Sequence, residues 1–212
     1  NPDLNPEKSY SWEVGVDQSL WKNRLVMGAT YFYQKFDDLI TYIKRPDQDL
    51  DFENIQEAKS QGIELRALCK PGYGFTLGGN YTYLDTEVTD DGGAGGASSP
   101  FEEGKQLLRR PKNTASGYVN WAWKDFQIRF DGLYVGKRDD LDFRTFPAKR
   151  VNLDDYFVVD LATSYTFALN DRFIKDFKIF GKVTNLFDEQ YEEVFGFSSP
   201  DPSFQVGVAF KL

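Results

Sequence analysis

The chain contains no histidine and a single cysteine among its 212 residues. Without histidine there is no Ser-His-Asp or Cys-His arrangement, no imidazole metal ligand and no ordinary proton shuttle near pH 7. A lone cysteine excludes a disulfide within the chain, and we interpret Cys69 as a small apolar strand residue. A glycosidase-type carboxylate pair stays open, but no segment singles out two acids. We therefore expect no enzyme, no resident cofactor and no metal site.

Long apolar runs are also missing. The mean hydropathy is −0.52, and no stretch approaches the length of apolar residues that a transmembrane helix needs. The formal net charge of −8 argues against nucleic acid as a partner, because phosphate binding requires a basic surface. The chain opens on NPDLNPE without a signal peptide, as the middle of a larger protein would.

Aromatic residues are plentiful, at 17%, and many segments carry apolar residues at every second position. This pattern predicts about nine β-strands, at residues 8–20, 24–43, 52–69, 73–89, 105–122, 126–138, 153–168, 177–187 and 203–212. The last strand shows the alternation best, with one face formed by Phe204, Val206, Val208, Phe210 and Leu212 and the other by Gln205, Gly207, Ala209 and Lys211.

The connections between these segments alternate in length. Short junctions are predicted at WKN (21–23), KPG (70–72), WKD (123–125) and residues 169–176, and longer polar loops at 44–51, 90–104, 139–152 and 188–202. Short turns on one side and long loops on the other are typical of a transmembrane β-barrel. A barrel also explains the low mean hydropathy, because only every second strand residue meets lipid.

A soluble β-sandwich is the alternative architecture. Its polar face would meet bulk water and carry mostly Lys and Glu, whereas here that face is rich in Gly, Ser, Thr, Asn and Gln. This composition favours a wide, hydrated lumen. The alternative function is that of a soluble β-rich module that binds carbohydrate or another ligand through exposed aromatics such as Trp121 and Trp123.

An odd strand count has a consequence for closure. The first strand would begin on the long-loop side of the membrane, and the ninth strand would end on the short-turn side. A single-chain bacterial barrel has an even number of strands, because its first and last strands pair antiparallel. The fold class that we predict is therefore all-β, an antiparallel meander of about nine strands that is an incomplete part of a large barrel.

Five motifs follow one another along the chain: NPDLNPEKSYSWEVGV (1–16), AKSQGIELRA (58–67), GGNYTYLDTE (78–87), LLRRPKNTAS (107–116) and VTNLFDEQYEEVFGF (183–197). In this order they resemble segments of the TonB-dependent outer-membrane receptors, a family of 22-stranded transporters. The resemblance covers nearly the whole chain. The segment VTNLFDEQYEEVFGF matches best, because it resembles the family's V-x-N-L-F-D-x-x-Y pattern before the last strand.

The resemblance implies a protein of the cell outer membrane that imports an iron chelate, vitamin B12 or a similar scarce nutrient by TonB-dependent active transport. The implied partners are outer-membrane lipid, the TonB complex and a siderophore-type or other small ligand. It also implies that residues 1–212 form the C-terminal portion of the barrel, while the earlier strands and the plug domain, through which TonB acts, are absent from this chain.

The resemblance further implies a barrel assembly signal in the last strand. Gly207, Phe210 and Leu212 have the expected spacing, although Leu stands where the family has a terminal aromatic residue. We expect ligand contacts in the four long loops, 44–51, 90–104, 139–152 and 188–202, because loops on a rigid scaffold usually carry recognition.

Three charged clusters allow two interpretations each. RRPKN (109–113) is either an anion site or a strand start whose arginines are neutralised by acids of neighbouring loops. Four acids around the start of the second long loop either bind Ca²⁺ or are a solvated charge run: Asp85, Glu87, Asp90 and Asp91. Four acids around Tyr191 either attract a cation or belong to a structural turn: Asp188, Glu189, Glu192 and Glu193. We favour the structural interpretation of all three.

Overall fold

The computed structural model describes residues 2–43, 51–92, 100–145, 147–169 and 174–211. These residues form an all-β protein, and none of their segments is a helix long and apolar enough to span a membrane. The strands within the described ranges are β1 (Lys8–Leu20), β2 (Leu25–Ile43), β3 (Asp51–Gly72), β4 (Phe75–Asp90), β5 (Asn113–Trp123), β6 (Phe126–Val135), β7 (Arg138–Asp142), β8 (Lys149–Leu153), β9 (Tyr156–Ala168), β10 (Asp176–Thr184), β11 (Glu192–Val194), β12 (Phe197–Ser198) and β13 (Ser203–Lys211).

Nine of these strands form one antiparallel sheet in the order β1-β2-β3-β4-β5-β6-β9-β10-β13. Each strand pairs with its neighbours along the chain, apart from the small hairpins β7–β8 and β11–β12, which are inserted in long connections. In the described structure β1 pairs only with β2, and β13 pairs only with β10. The predicted open meander of nine strands is confirmed, and the sandwich alternative is wrong.

Most predicted strands agree with the structure, and β1 has the predicted bounds. The prediction was wrong for 105–122, because the strand begins only at Asn113. Arg109 has a φ of 56° and Pro111 has no amide hydrogen, so this stretch cannot continue a regular ladder. The segment 139–152 was also predicted wrongly, since it contains the β7–β8 hairpin and is not irregular throughout.

The short turns lie at one end of the sheet, as predicted. Trp21, Lys22 and Asn23 all have positive φ angles, of 49°, 56° and 65°. The KPG junction is displaced, because the β3–β4 turn lies at Tyr73 and Gly74 after a register shift in β3. Gly74 has a φ of 83°, and a Cβ there would approach the carbonyl oxygen of Ala122 to 1.9 Å, so only glycine fits this close approach.

The sheet has a polar face and an apolar face. On the polar face Arg66 pairs with Asp17 at 2.6 Å, and Lys182 pairs with Asp160 at 3.3 Å. The apolar face of β13 is highly exposed, with Phe204 at 82% and Val206 at 78%. Within the described ranges no second sheet packs on this face. An apolar face of this extent is expected where lipid, not a protein core, covers the strands.

Aromatic rings cross the apolar face in a row near the short turns. One group centres on Trp121, whose ring neighbours those of Phe75, Trp123 and Phe126. The other group runs from Tyr165 through Phe167 and Phe177 to Phe210. Neighbouring ring centroids lie 4.6–6.3 Å apart. Towards the long loops a second row contains Trp12, Tyr31 and Tyr33. Beyond Tyr33 the same face becomes charged, beginning with Lys35, which pairs with Asp37 at 2.7 Å.

The two aromatic rows bound an apolar band. On β2 the band runs from Leu25 to Tyr33, which is about 27 Å along the strand and roughly 20 Å in height at the usual strand tilt of about 40°. Transmembrane barrels have an apolar band of roughly this height between two aromatic girdles. Trp121 and Trp123, considered above as carbohydrate-binding residues, belong to the girdle near the short turns, with ring planes 4° apart. Cys69 pairs in register with Leu25 and Leu77 on the same apolar face.

Candidate functional site

Burial is concentrated at the long-loop end of the molecule. Three segments meet there: 100–112, the hairpin β7–β8 (138–153) and 185–199. We call them together the loop assembly. Its buried residues include Arg138, Asp140, Leu141, Leu153 and Asn185. Since the sheet itself is a single layer, the loop assembly is where the described structure comes closest to a folded core.

Asp140 joins all three segments of the loop assembly. Its carboxylate is 0% exposed and accepts a hydrogen bond from Nε of Arg109 at 2.8 Å. It also accepts bonds from the amide of Leu141 at 2.9 Å and from the amide of Phe195 at 2.8 Å. A buried carboxylate needs such donors, because desolvating an unpaired charge is costly.

Arg138 lies two residues earlier on the same face of β7 and is 4% exposed. Its guanidinium donates to the carbonyl oxygens of Gly136 at 3.4 Å and Asp154 at 3.3 Å, and to that of Glu192. It also lies 5.3 Å from the ring centroid of Tyr156. Arg138 thereby ties the start of β7 to the β8–β9 junction and to β11.

Two stacked tyrosines complete this part of the assembly. The rings of Tyr156 and Tyr191 have centroids 4.1 Å apart. Burial, and then the nearby carboxylate of Glu193, raise the pKa of both phenols, because each disfavours the phenolate. The stacked pair therefore adds two uncharged aromatic rings to the ionic contacts of the loop assembly.

The opposite face of β7 is also ion-paired. Asp139 accepts a hydrogen bond from Arg150 Nη1 at 2.9 Å, and Arg150 Nε lies 3.5 Å from the carboxylate of Glu102. The amide of Arg109 donates to the carbonyl oxygen of Asp139 at 2.8 Å. β7 therefore contacts the segment 100–112 through both its backbone and its side chains.

The segment 100–112 extends the sheet beside β4. The amide of Val88 donates to the carbonyl of Lys105, and that of Gly104 donates to the carbonyl of Val88, each at 2.9 Å. Leu107 donates from its amide to Oγ1 of Thr86 at 3.1 Å. A continuous hydrogen-bonded wall thus runs from β4 through this segment to β7.

The segment 185–199 begins with a side-chain-bonded turn. Asn185 has a φ of 53°, and its side chain exchanges two hydrogen bonds with the backbone of Glu189, at 2.8 and 3.0 Å. The amide of Gly196 donates to the carboxylate of Glu192 at 3.2 Å. These contacts agree with the structural-turn interpretation of the acids around Tyr191.

Two cavities accompany these features. One, of about 370 Å³, lies in the loop assembly between the β8–β9 junction and the segment 190–198, with Asp155 and Glu192 in its lining. The other, of about 410 Å³, lies along the polar face of the sheet. In its wall Arg129 lies 3.9 Å from the ring centroid of Tyr118 and binds Asp131 at 2.6 Å.

The predicted loops are partly visible in the structure. Residues 44–50 and 93–99 lie outside the described residues, so much of the loops 44–51 and 90–104 does too. The segments 139–152 and 188–202 come together in the loop assembly. The assembly-signal residues Gly207 and Phe210 are placed on β13 on opposite faces, and Leu212 lies outside the described residues.

Several residues of the charged clusters are paired within the protein. Arg109 of RRPKN is neutralised by Asp140 of a neighbouring loop, as its structural interpretation predicted. Asp85 pairs with Lys112 at 3.4 Å and Glu87 with Lys59 at 2.7 Å. The central role of Asp140 was not predicted from the sequence. Four of the five residues in RDDLD are charged, so no alternation of polar and apolar residues marks Asp140.

The sequence of the chain matches a known protein family. A family model described as TonB dependent receptor-like, beta-barrel, matches residues 1–186. The chain belongs to this family. Proteins of the TonB-dependent receptor family are outer-membrane β-barrels, and the single sheet of this chain, with one apolar and one polar face, has the pattern of a barrel wall.

Solved structures of receptors agree with this fold. The ferripyoverdine receptor of Pseudomonas aeruginosa is 18% identical, with a TM-score of 0.74 over 97% of this chain and 27% of its own. The siderophore receptor PiuA of Acinetobacter baumannii is 20% identical, with 0.75 over 98% and 29%. The FrpB iron transporter of Neisseria meningitidis is 17% identical, with 0.74 over 97% and 31%. The receptor chain thus spans less than a third of each.

Proposed function

We propose that this receptor chain is the C-terminal portion of a barrel that sits in the outer membrane and imports an iron chelate. The observation that carries the proposal is the family match combined with structural similarity to siderophore and iron receptors. In this proposal the missing strands and a plug domain complete the transporter, and the TonB complex supplies the energy through the plug. The chain's own role is structural and recognitive, not catalytic.

The geometry supports a division of labour between wall and loops. The nine-stranded sheet is a rigid scaffold, and the loop assembly is held above it by buried ionic contacts. Recognition sites commonly lie on loops held by such scaffolds. We propose that the ligand is bound by the long loops 44–51, 90–104, 139–152 and 188–202 in concert, without a single dominant residue.

Uptake by cells that express the full-length receptor tests the transported ligand. A deletion strain should regain uptake of radiolabelled iron supplied as one or more ferric siderophores when the receptor is restored, and that uptake should require TonB. Cyanocobalamin uptake is measured in the same strain. Recovery of cyanocobalamin uptake alone would contradict the iron-chelate proposal while leaving TonB-dependent import intact.

Loop variants test the site of recognition. Deleting 90–104 should reduce uptake of the preferred chelate while the barrel still assembles. The matched control shortens the opposite end, by deleting Asn23 from the Trp21–Asn23 turn, where no ligand contact is proposed. Unchanged uptake of every chelate after the loop deletion would exclude a role for that loop.

A further inference from the structure

Charge is distributed unequally between the two ends of the receptor chain. The short turns and their flanks, residues 21–24, 70–74, 124–125 and 174–176, form what we call the short-turn rim. Its charged residues are Lys22, Arg24, Lys70, Lys124 and Lys175 on the basic side and Asp125 and Asp176 on the acidic side. The whole chain has a net charge of −8, so this positive rim stands against an acidic remainder.

Four of the five rim cations are exposed and have no carboxylate partner among the described residues. Lys22, Arg24, Lys70 and Lys124 are all exposed, and no carboxylate of the described residues lies within salt-bridge distance of these four. Three lysines nearer the long loops differ, since each of them has a carboxylate at 2.7 Å: Lys8 with Asp38, Lys35 with Asp37 and Lys59 with Glu87. The rim therefore presents positive charge that the protein itself does not neutralise.

Each of three short turns also places an exposed aromatic residue near a basic one. Trp21 is 69% exposed, Tyr73 is 95% exposed and Trp123 is 56% exposed. The ammonium of Lys124 lies 4.8 Å from the ring centroid of Trp123. Tryptophan and tyrosine favour the headgroup level of a bilayer, and a lysine beside them can extend its charge towards lipid phosphates.

We infer that the short-turn rim binds the phosphates of anionic phospholipid headgroups, of the phosphatidylglycerol type, in the leaflet that the short turns meet. The positive rim complements these headgroups in charge, and the aromatic row near the short turns places it at a membrane boundary. The inference rests on the proposed membrane placement. Near an anionic surface each basic residue contributes roughly fivefold to binding, and salt weakens the effect.

Spin-labelled lipids test this inference on the full-length receptor in phosphatidylcholine vesicles. The measured quantity is the association of trace spin-labelled phosphatidylglycerol relative to spin-labelled phosphatidylcholine. We expect a preference of about fivefold at low salt that falls steeply at high salt. The variant K22Q/K70Q/K124Q should bring the preference close to one. The matched control K8Q/K35Q/K59Q removes three lysines at the long-loop end and should keep the preference.

The outcomes separate this inference from the proposed function. A receptor that inserts and immobilises lipid without headgroup preference overturns the inference, as does equal loss of preference in the two triple variants. In either case the cations would serve an acidic soluble partner or none. A receptor that immobilises no lipid at all contradicts the membrane placement itself. The salt series on the unmodified receptor provides the test if the rim variant fails to assemble.

Discussion

Nε of Arg109 donates a hydrogen bond at 2.8 Å to Oδ1 of Asp140, across 31 positions of the chain and into a carboxylate with no solvent exposure. Arg109 follows the long loop after β4, whereas Asp140 is in the middle of β7. Because the other oxygen of Asp140 accepts the amide of Phe195, one side chain links three segments of the loop assembly. Removing it should loosen all three together.

Asp140→Ala is therefore expected to destabilise the loop assembly by about 2–3 kcal/mol, since it leaves buried donors without an acceptor. Amide hydrogen exchange at Leu141 and Phe195 should become roughly 30- to 160-fold faster, while amides in the middle of β4 keep their protection. Asp154→Asn is the matched control, because that acid is highly exposed and pairs only with Lys137. Unchanged exchange at Phe195 would contradict the role of Asp140.

Val206→Arg should destabilise the assembled receptor by about 2–4 kcal/mol, because Val206 is on the apolar face of β13, which the proposed membrane placement turns towards lipid, and lies away from the girdle at Phe210. The adjacent Gln205 is on the polar face opposite Lys182. Gln205→Arg should accordingly cost less than about 1 kcal/mol. Equilibrium unfolding in lipid vesicles measures both. Equal losses for the two variants would mean that the two faces are assigned wrongly.

Gly207→Ala should cost roughly 0.5–1.5 kcal/mol, because a Cβ at this position would lie 2.3 Å from the ring of Phe180 and would displace it. Gly181 is the matched control, since a Cβ there would meet its nearest neighbour, the carbonyl oxygen of Gln205, at 3.7 Å. The rate of assembly into vesicles and the stability of the product are the measurements. If the Gly181→Ala variant assembles more slowly than Gly207→Ala, the close approach to the Phe180 ring is not the reason for a glycine at position 207.

The stability of the tip of the β7–β8 hairpin should depend on pH in the acid range. The side chain and then the amide of Arg144 donate hydrogen bonds to Asp142, and they lower the pKa of that carboxyl. The ionised form is favoured in the folded state, so its stabilising contribution is present above the ordinary aspartate pKa. It is lost as the pH falls through the lowered value.

Arg144→Gln should return the pKa of Asp142 towards its ordinary value. The carboxyl ¹³C shift of Asp142, followed through an acid titration of the labelled receptor, reports the change. Lys137→Gln serves as the control because Lys137 pairs with Asp154 and not with Asp142. If Arg144→Gln leaves the titration midpoint of Asp142 unchanged, the hydrogen bonds from the Arg144 side chain do not set this pKa.

The strand pattern was predictable from the sequence because the sheet is a single layer with different surroundings on its two faces. Along β13 this difference forces apolar and polar side chains to alternate, from Phe204 to Lys211. The turns were predictable for a related reason, since Trp21–Asn23 and Lys124 interrupt that alternation at one end of the sheet. The turn after β3 was displaced, because a register shift lets the ladder continue to Gly72.

The loop assembly was not predictable in the same way. Arg138 and Asp140 are charged residues in a polar stretch, and such residues usually lie in solvent. They are buried here because their partners arrive from distant parts of the chain, Arg109 and Phe195 in the case of Asp140. No local periodicity records contacts between segments that the chain separates by 31 to 55 residues.

By itself the sequence determined the strands, their two faces, the alternation of short and long connections and the membership of a receptor family, because each follows from local pattern and ordered motifs. Only the tertiary structure decided that 139–152 forms a hairpin and that Asp140 organises three loops. These features depend on which groups meet in space, and the energy of a buried charge is set by those partners and not by its neighbours in sequence.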